Sequence, residues 1–113
     1  MDRANIPIQG ITRSKYRSIK TVVDNITFAS KKEALRYQDL KLLQKAKVIN
    51  SLVLQPVFTI AINGQKICDY IADFSYVEDG KLIVEDVKGV KTPVYKLKKK
   101  LVKALHQVEI QEV

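Results

Sequence analysis

The sequence predicts an α/β (α+β) domain whose elements run helix, three antiparallel strands, helix, strand. Three observations carry that prediction. Asn63-Gly64 and Asp79-Gly80 are the dipeptides most tied to two-residue hairpin turns, and apolar, β-branched runs flank both. Ser30-Lys31-Lys32-Glu33 has the Ser-x-x-Glu spacing of a capping box opening a helix. Thr92-Pro93 offers a cap followed by proline at the first helical position of a second one.

The elements follow in chain order. Residues 1–29 read as an irregular, basic arm, with Arg13, Lys15 and Arg17 around Tyr16 and with Pro7 and Gly10 breaking any early element. Such an arm grips DNA or is merely partly ordered. Within it, the stretch 22–28 is a short strand or an apolar lead-in. Residues 30–113 read as one domain. A helix is expected over 31–47, with Leu35, Leu42, Leu43 and Ala46 turned to the core and Glu33 on the flank it shares with Tyr37 and Leu40. The two tight turns define a three-stranded meander over 53–62, 66–77 and 81–88, with Pro56 marking an edge or a bent entry. Gly89 lets the backbone leave the third strand or a phosphate approach it. The second helix is expected over 94–106, with Leu97, Leu101, Ala104 and Leu105 as its apolar stripe. The tail, 107–113, alternates loosely and reads as a last strand.

Composition narrows the function. The chain has 113 residues and a net charge of +8, which favours an anionic partner, most simply nucleic acid. No apolar run reaches about eighteen residues, so no membrane span is expected. The N-terminus lacks an apolar signal core, which favours the cytoplasm. Cys68 and His106 are single, which removes disulfides, cysteine-based zinc sites and most histidine-centred catalysis. The acids are unevenly spread: Asp69, Asp73, Glu78, Asp79, Glu85 and Asp86 lie within residues 69–86.

The Asp79-Gly80 turn has a consequence for those acids. With a two-residue loop, Glu78 faces Lys81, Tyr76 faces Ile83, Phe74 faces Glu85 and Asp73 faces Asp86. Alternation puts Lys88 on the face of Asp86, and Glu85 on the opposite face. Facing carboxylates repel, so folding alone has no reason to pair them. A divalent cation between them turns repulsion into binding. Lys96, Lys99, Lys100 and Lys103 add a basic helical face, which is either solvated or a phosphate contact. Lys88 between two carboxylates also reads as a structural salt bridge, and Glu33 as a plain capping residue.

Asp73 with Asp86-Val87-Lys88, a helical Glu33 upstream and the element order over 30–113 resemble the PD-(D/E)XK nuclease superfamily. The wording Phe28-Ala-Ser30-Lys-Lys-Glu33-Ala34, Asp69-Tyr70-Ile-Ala-Asp73-Phe74 and Glu85-Asp86-Val-Lys88-Gly89 is similar to small phage-encoded nucleases of that superfamily. Ala72 stands where the superfamily's name has proline. The resemblance implies a restriction-endonuclease-like core, ordered α-β-β-β-α-β, with a central mixed sheet flanked by helices. It implies Mg²⁺ or Mn²⁺ held by Asp73, Asp86, the Val87 carbonyl and Glu33, with Lys88 orienting the attacking water. It further implies a DNA endonuclease of phage DNA processing or recombination, with branched DNA such as Holliday junctions among the candidate substrates. A homodimer fits, since each subunit has one site and two strands need cutting; so does a phage protein partner, and the host cytoplasm as location. The alternative is a non-catalytic or partner-dependent DNA-binding module on the same fold.

Overall fold

The structure, a computed structural model, describes residues 20–113. Arg13, Lys15 and Arg17 lie outside the described residues. Two compact units, Met1–Leu35 and Arg36–Val113, divide the chain. In the described part of the first, β1 (Thr21–Val23) and β2 (Ile26–Phe28) pair antiparallel around Asp24-Asn25. Both turn residues have positive φ, 53° and 62°, the backbone twist that two-residue hairpins favour. Of the two readings of 22–28, a short strand or an apolar lead-in, the strand is the one that forms, as two strands joined by a turn. Asp-Asn is a weaker turn signal than Asn-Gly, and short polar side chains tolerate the left-handed region.

Helix α1 (Lys31–Lys45) opens on the expected capping box. Ser30 Oγ accepts the Glu33 N–H at 3.1 Å, and Glu33 Oε1 accepts the Ala29 N–H at 3.2 Å. The helix is rotated from the expected face. Leu35 and Leu42 are 51% and 67% exposed, whereas Ala34, Tyr37 and Leu40 are buried. The Glu33–Tyr37–Leu40 flank is therefore the inner one. Arg36 explains part of this, because its guanidinium reaches Glu85 on the sheet and fixes the helix rotation.

The second unit contains a central mixed sheet of four strands and a two-stranded ribbon. The sheet runs β3 (Asn50–Leu54), β6 (Phe74–Glu78), β7 (Lys81–Asp86), β8 (Ile110–Glu112); the ribbon pairs β4 (Val57–Ile62) with β5 (Gln65–Ile71). Both tight turns form as expected, with φ of 52° and 78° at Asn63-Gly64 and 53° and 75° at Asp79-Gly80. The β6–β7 register runs Glu78↔Lys81, Tyr76↔Ile83 and Phe74↔Glu85.

The first two strands of the meander differ from expectation in one respect. Each is broken, at Gln55-Pro56 and at Ala72-Asp73. Gln55 has φ 54° and its N–H donates to the Asp73 carbonyl at 3.0 Å; the Ala72 N–H donates to the Pro56 carbonyl at 3.1 Å. Pairing therefore continues through a sharp bend rather than ending there. Pro56 has no N–H to give, and at the bend only its carbonyl is needed.

Helix α2 (Pro93–His106) returns the chain so that β8 runs parallel to β7, in register Val84↔Ile110 and Asp86↔Glu112. One core cluster joins Ile60 and Tyr70 from the ribbon, Ala72, Val84 and Ile110 from the sheet side, and Tyr95 and Val102 from α2. The expected α2 stripe is likewise rotated. Leu97 is 59% exposed, and the buried positions are Tyr95 and Val102. Lys98 Nζ, bonded to the Asp69 carbonyl at 3.1 Å, ties that turn of the helix to β5. Thr92 caps α2 through Oγ, which accepts the Tyr95 N–H at 3.1 Å. Thr92→Ala should cost about 1 kcal/mol in urea unfolding.

Candidate active site

The bend at Ala72-Asp73 presents Asp73 to the end of β7. The Asp73 N–H reaches both the Glu85 carbonyl at 3.1 Å and Asp86 Oδ1 at 3.0 Å. In return, Asp73 Oδ2 accepts the Val87 N–H at 2.8 Å. Each carboxylate is thus held by the backbone of the other's strand, and both are oriented before any ligand arrives. Asp73 and Asp86 are neighbours, as the hairpin register requires.

Asp86 is 1% exposed. Among the described residues its buried Oδ2 has no hydrogen-bond partner, and Lys88 Nζ pairs with it at 3.6 Å. Burial pushes the Asp86 carboxyl above its ordinary range, against the pull of Lys88 and of the Asp73 N–H. The Lys88 ammonium sits 4.1 Å from the centre of the Tyr95 ring. The Tyr95 hydroxyl donates to Glu112 Oε2 at 2.8 Å, and burial, then this acceptor, pushes its pKa up. Glu112 also pairs with Lys91 at 3.0 Å and Lys99 at 3.2 Å. Led by Lys91, these donors hold its carboxyl at about 2.

Glu85 is turned to the other face. Its oxygens accept from Arg36 Nε at 2.8 Å and Nη2 at 2.6 Å, and the Tyr76 hydroxyl donates to Oε2. Burial, then Glu85, pushes the Tyr76 phenol up to about 12. This is a closed structural cluster with both carboxylate oxygens engaged, which leaves Asp86 as the acid beside Asp73.

The remaining expected residues are placed as follows. Val87 lies between Asp86 and Lys88, its N–H committed to Asp73. Glu33 is buried in the first turn of α1, where its carboxylate caps the helix. Lys96, Lys99, Lys100 and Lys103 do share a surface: with Lys91, Glu109, Ile110 and Glu112 they line a cleft of about 370 Å³ between α2 and β8. Lys103 is paired with Glu109 at 3.5 Å. Among the described residues, no group of three or more His, Cys, Asp or Glu side chains is placed to hold a metal ion. No described helix is long and apolar enough to cross a membrane.

A sequence profile described as "Protein of unknown function (DUF1064)" matches residues 13–112. The chain belongs to the DUF1064 family. No curated protein matches it. The description of DUF1064 names no activity. The matched span holds Asp73, Asp86, Lys88 and all of α2.

In this DUF1064 chain, Arg36, Lys91, Tyr95 and Glu112 enter the picture only through the structure. Glu112 meets the site because parallel pairing sets it against Asp86, a register that a crossover through a helix leaves open. Tyr95 had one local signal: it follows the Thr92 cap by three residues, so its backbone is fixed where the chain leaves β7.

Proposed function

We propose that the chain is a metal-dependent DNA endonuclease whose site is Asp73, Asp86 and Lys88. The observation that carries this reading is Asp86 Oδ2, a buried carboxylate oxygen with no hydrogen-bond partner among the described residues, beside a second carboxylate. Lys88 and the Asp73 N–H offset only part of the cost of burying this charge, and a site for a cation is the arrangement that gives the remainder a purpose.

The donor set fits a hard divalent cation. Asp73 and Asp86 supply carboxylate oxygens, the Val87 carbonyl can add another, and Mg²⁺ or Mn²⁺ retains waters rather than needing an all-protein cage. When bound, such a cation lowers the pKa of a water and offsets charge growing on the scissile phosphate. Lys88, held at 3.6 Å from Asp86 Oδ2, orients the attacking water and stabilises the charge of the pentacovalent transition state. The Asp73 and Val87 N–H groups keep both carboxylates in place while this happens. Glu33, the further donor that the resemblance implies, caps its own helix, and Glu33→Gln tests whether it does more.

The α2–β8 cleft would take the phosphate backbone of DNA. Lys99 and Lys103 share their charge with Glu112 and Glu109, so Lys96 and Lys100 should carry most of the counterion release. Lys96→Ala and Lys100→Ala should each weaken DNA binding evenly across sequences. Each should lower the slope of log K against log salt by about 1, read by fluorescence anisotropy over a salt series.

The activity itself is tested with four-way junction, flap, duplex and single-stranded DNA, each with Mg²⁺, Mn²⁺ or EDTA. Cation-dependent cleavage of at least one substrate is expected. Metal-independent binding with no cleavage of any would instead support a non-catalytic or partner-dependent DNA-binding module.

A further inference from the structure

A residue held firmly beside Lys88 is one the chemistry above does not use. Tyr95 is anchored at three points. Its N–H is held by Thr92 Oγ at 3.1 Å, its hydroxyl by Glu112 Oε2 at 2.8 Å, and its ring lies 6.2 Å, centre to centre, from the Tyr70 ring within the core. Glu112 is itself pinned by Lys91 and Lys99 and set beside Asp86 by the parallel register. The Lys88 ammonium stands 4.1 Å from the centre of this fixed ring.

We propose that Tyr95 is a positioning residue whose ring holds the Lys88 ammonium against Asp86. Lys88 follows the last residue of β7 by two positions, and its N–H donates to the Val113 carbonyl at 3.4 Å; that bond holds the backbone and leaves the long side chain its rotamer freedom. A cation over an aromatic face is attracted by the ring quadrupole. The Asp86 carboxylate supplies the second restraint at 3.6 Å. Between ring and carboxylate the ammonium has one place to be, already ordered before substrate arrives. The effect on rate rests on the nuclease reading above; the effect on the lysine does not.

Both are read separately on the full chain, as Tyr95→Leu and Tyr95→Phe. By NMR with lysine labelled at Cε and Lys88→Arg for assignment, the wild-type Lys88 ε-methylene should lie upfield of the exposed lysines, displaced by the ring current. Tyr95→Phe should keep that displacement, and Tyr95→Leu should abolish it. In cleavage assays Tyr95→Leu should lower kcat on the order of 10- to 100-fold with KM little changed, while Tyr95→Phe stays within a few-fold of wild type. A wild-type Lys88 resonance at the position of exposed lysines overturns the proposal, whether or not Tyr95→Leu folds. So does folded Tyr95→Leu cleaving at the wild-type kcat. If the wild type cleaves no DNA yet Lys88 carries a ring shift that Tyr95→Leu removes, the positioning stands and the nuclease reading fails.

Discussion

Asp86→Asn should melt at a higher temperature than the wild-type chain when divalent cations are chelated at neutral pH. Burial raises the Asp86 carboxyl above its unfolded value of 3.8. The unfolded chain therefore gives up this proton first as pH rises, and stability falls between the unfolded and the folded pKa. Above the folded pKa the penalty is complete; below the unfolded one it is absent. Asn copies the neutral carboxyl in shape and escapes the penalty. Adding Mg²⁺ or Mn²⁺ should reverse the ranking, because a cation that binds only the folded wild type raises its Tm by mass action. Asp86→Asn should show little of that gain. Melting curves with and without EDTA, at pH 5 and pH 7, check each part. A wild-type Tm insensitive to both cations, together with a less stable Asp86→Asn, would contradict the account.

Arg36→Met should be strongly destabilising. The Glu85 side chain is 3% exposed, and Arg36 supplies its only ion pair among the described residues. Removing the guanidinium leaves a buried carboxylate with a phenol as remaining donor. Breaking one side of such a pair costs about 3–5 kcal/mol. For a domain of this size that is a fall in Tm of about 12 °C or more. The double variant Arg36→Met/Glu85→Leu should recover most of the loss, since an apolar pair of similar volume is often neutral or stabilising. Urea unfolding of the wild type, Arg36→Met, Glu85→Leu and the double variant closes the cycle. Equal losses in single and double variants would mean that Arg36 matters for packing rather than for charge.

The part of the site legible in the sequence is the part governed by local rules. Asp79-Gly80 sets a two-residue turn, the turn sets the register, and the register brings Asp73 to Asp86 and separates Glu85 from both. Ser30 and Thr92 fix the helix starts in the same local way. The illegible parts depend on partners far along the chain. The bend at Gln55-Pro56 and Ala72-Asp73 needs two strands to break together, and Gln55 is not a residue type that favours positive φ. Both helices bury a different face from the one expected, and besides the Arg36 and Lys98 contacts they share one cause. Counting aliphatic residues favours Leu35 and Leu97, whereas a single large ring, Tyr37 or Tyr95, buries more area than either leucine. The Arg36–Glu85 pair joins positions 49 residues apart and leaves no local trace.

The account is tested most directly by DNA cleavage in Mg²⁺ and Mn²⁺, using the wild type, Asp73→Asn, Asp86→Asn, Lys88→Ala and Glu85→Gln side by side. Each chain is assayed below its own melting temperature, on the same panel of junction, flap, duplex and single-stranded substrates. Wild type and Glu85→Gln should cleave with divalent cation and stop with EDTA, and the other three should leave the DNA intact. Cleavage by Asp86→Asn at the wild-type rate, or loss of activity in Glu85→Gln alone, would contradict the assignment of the site.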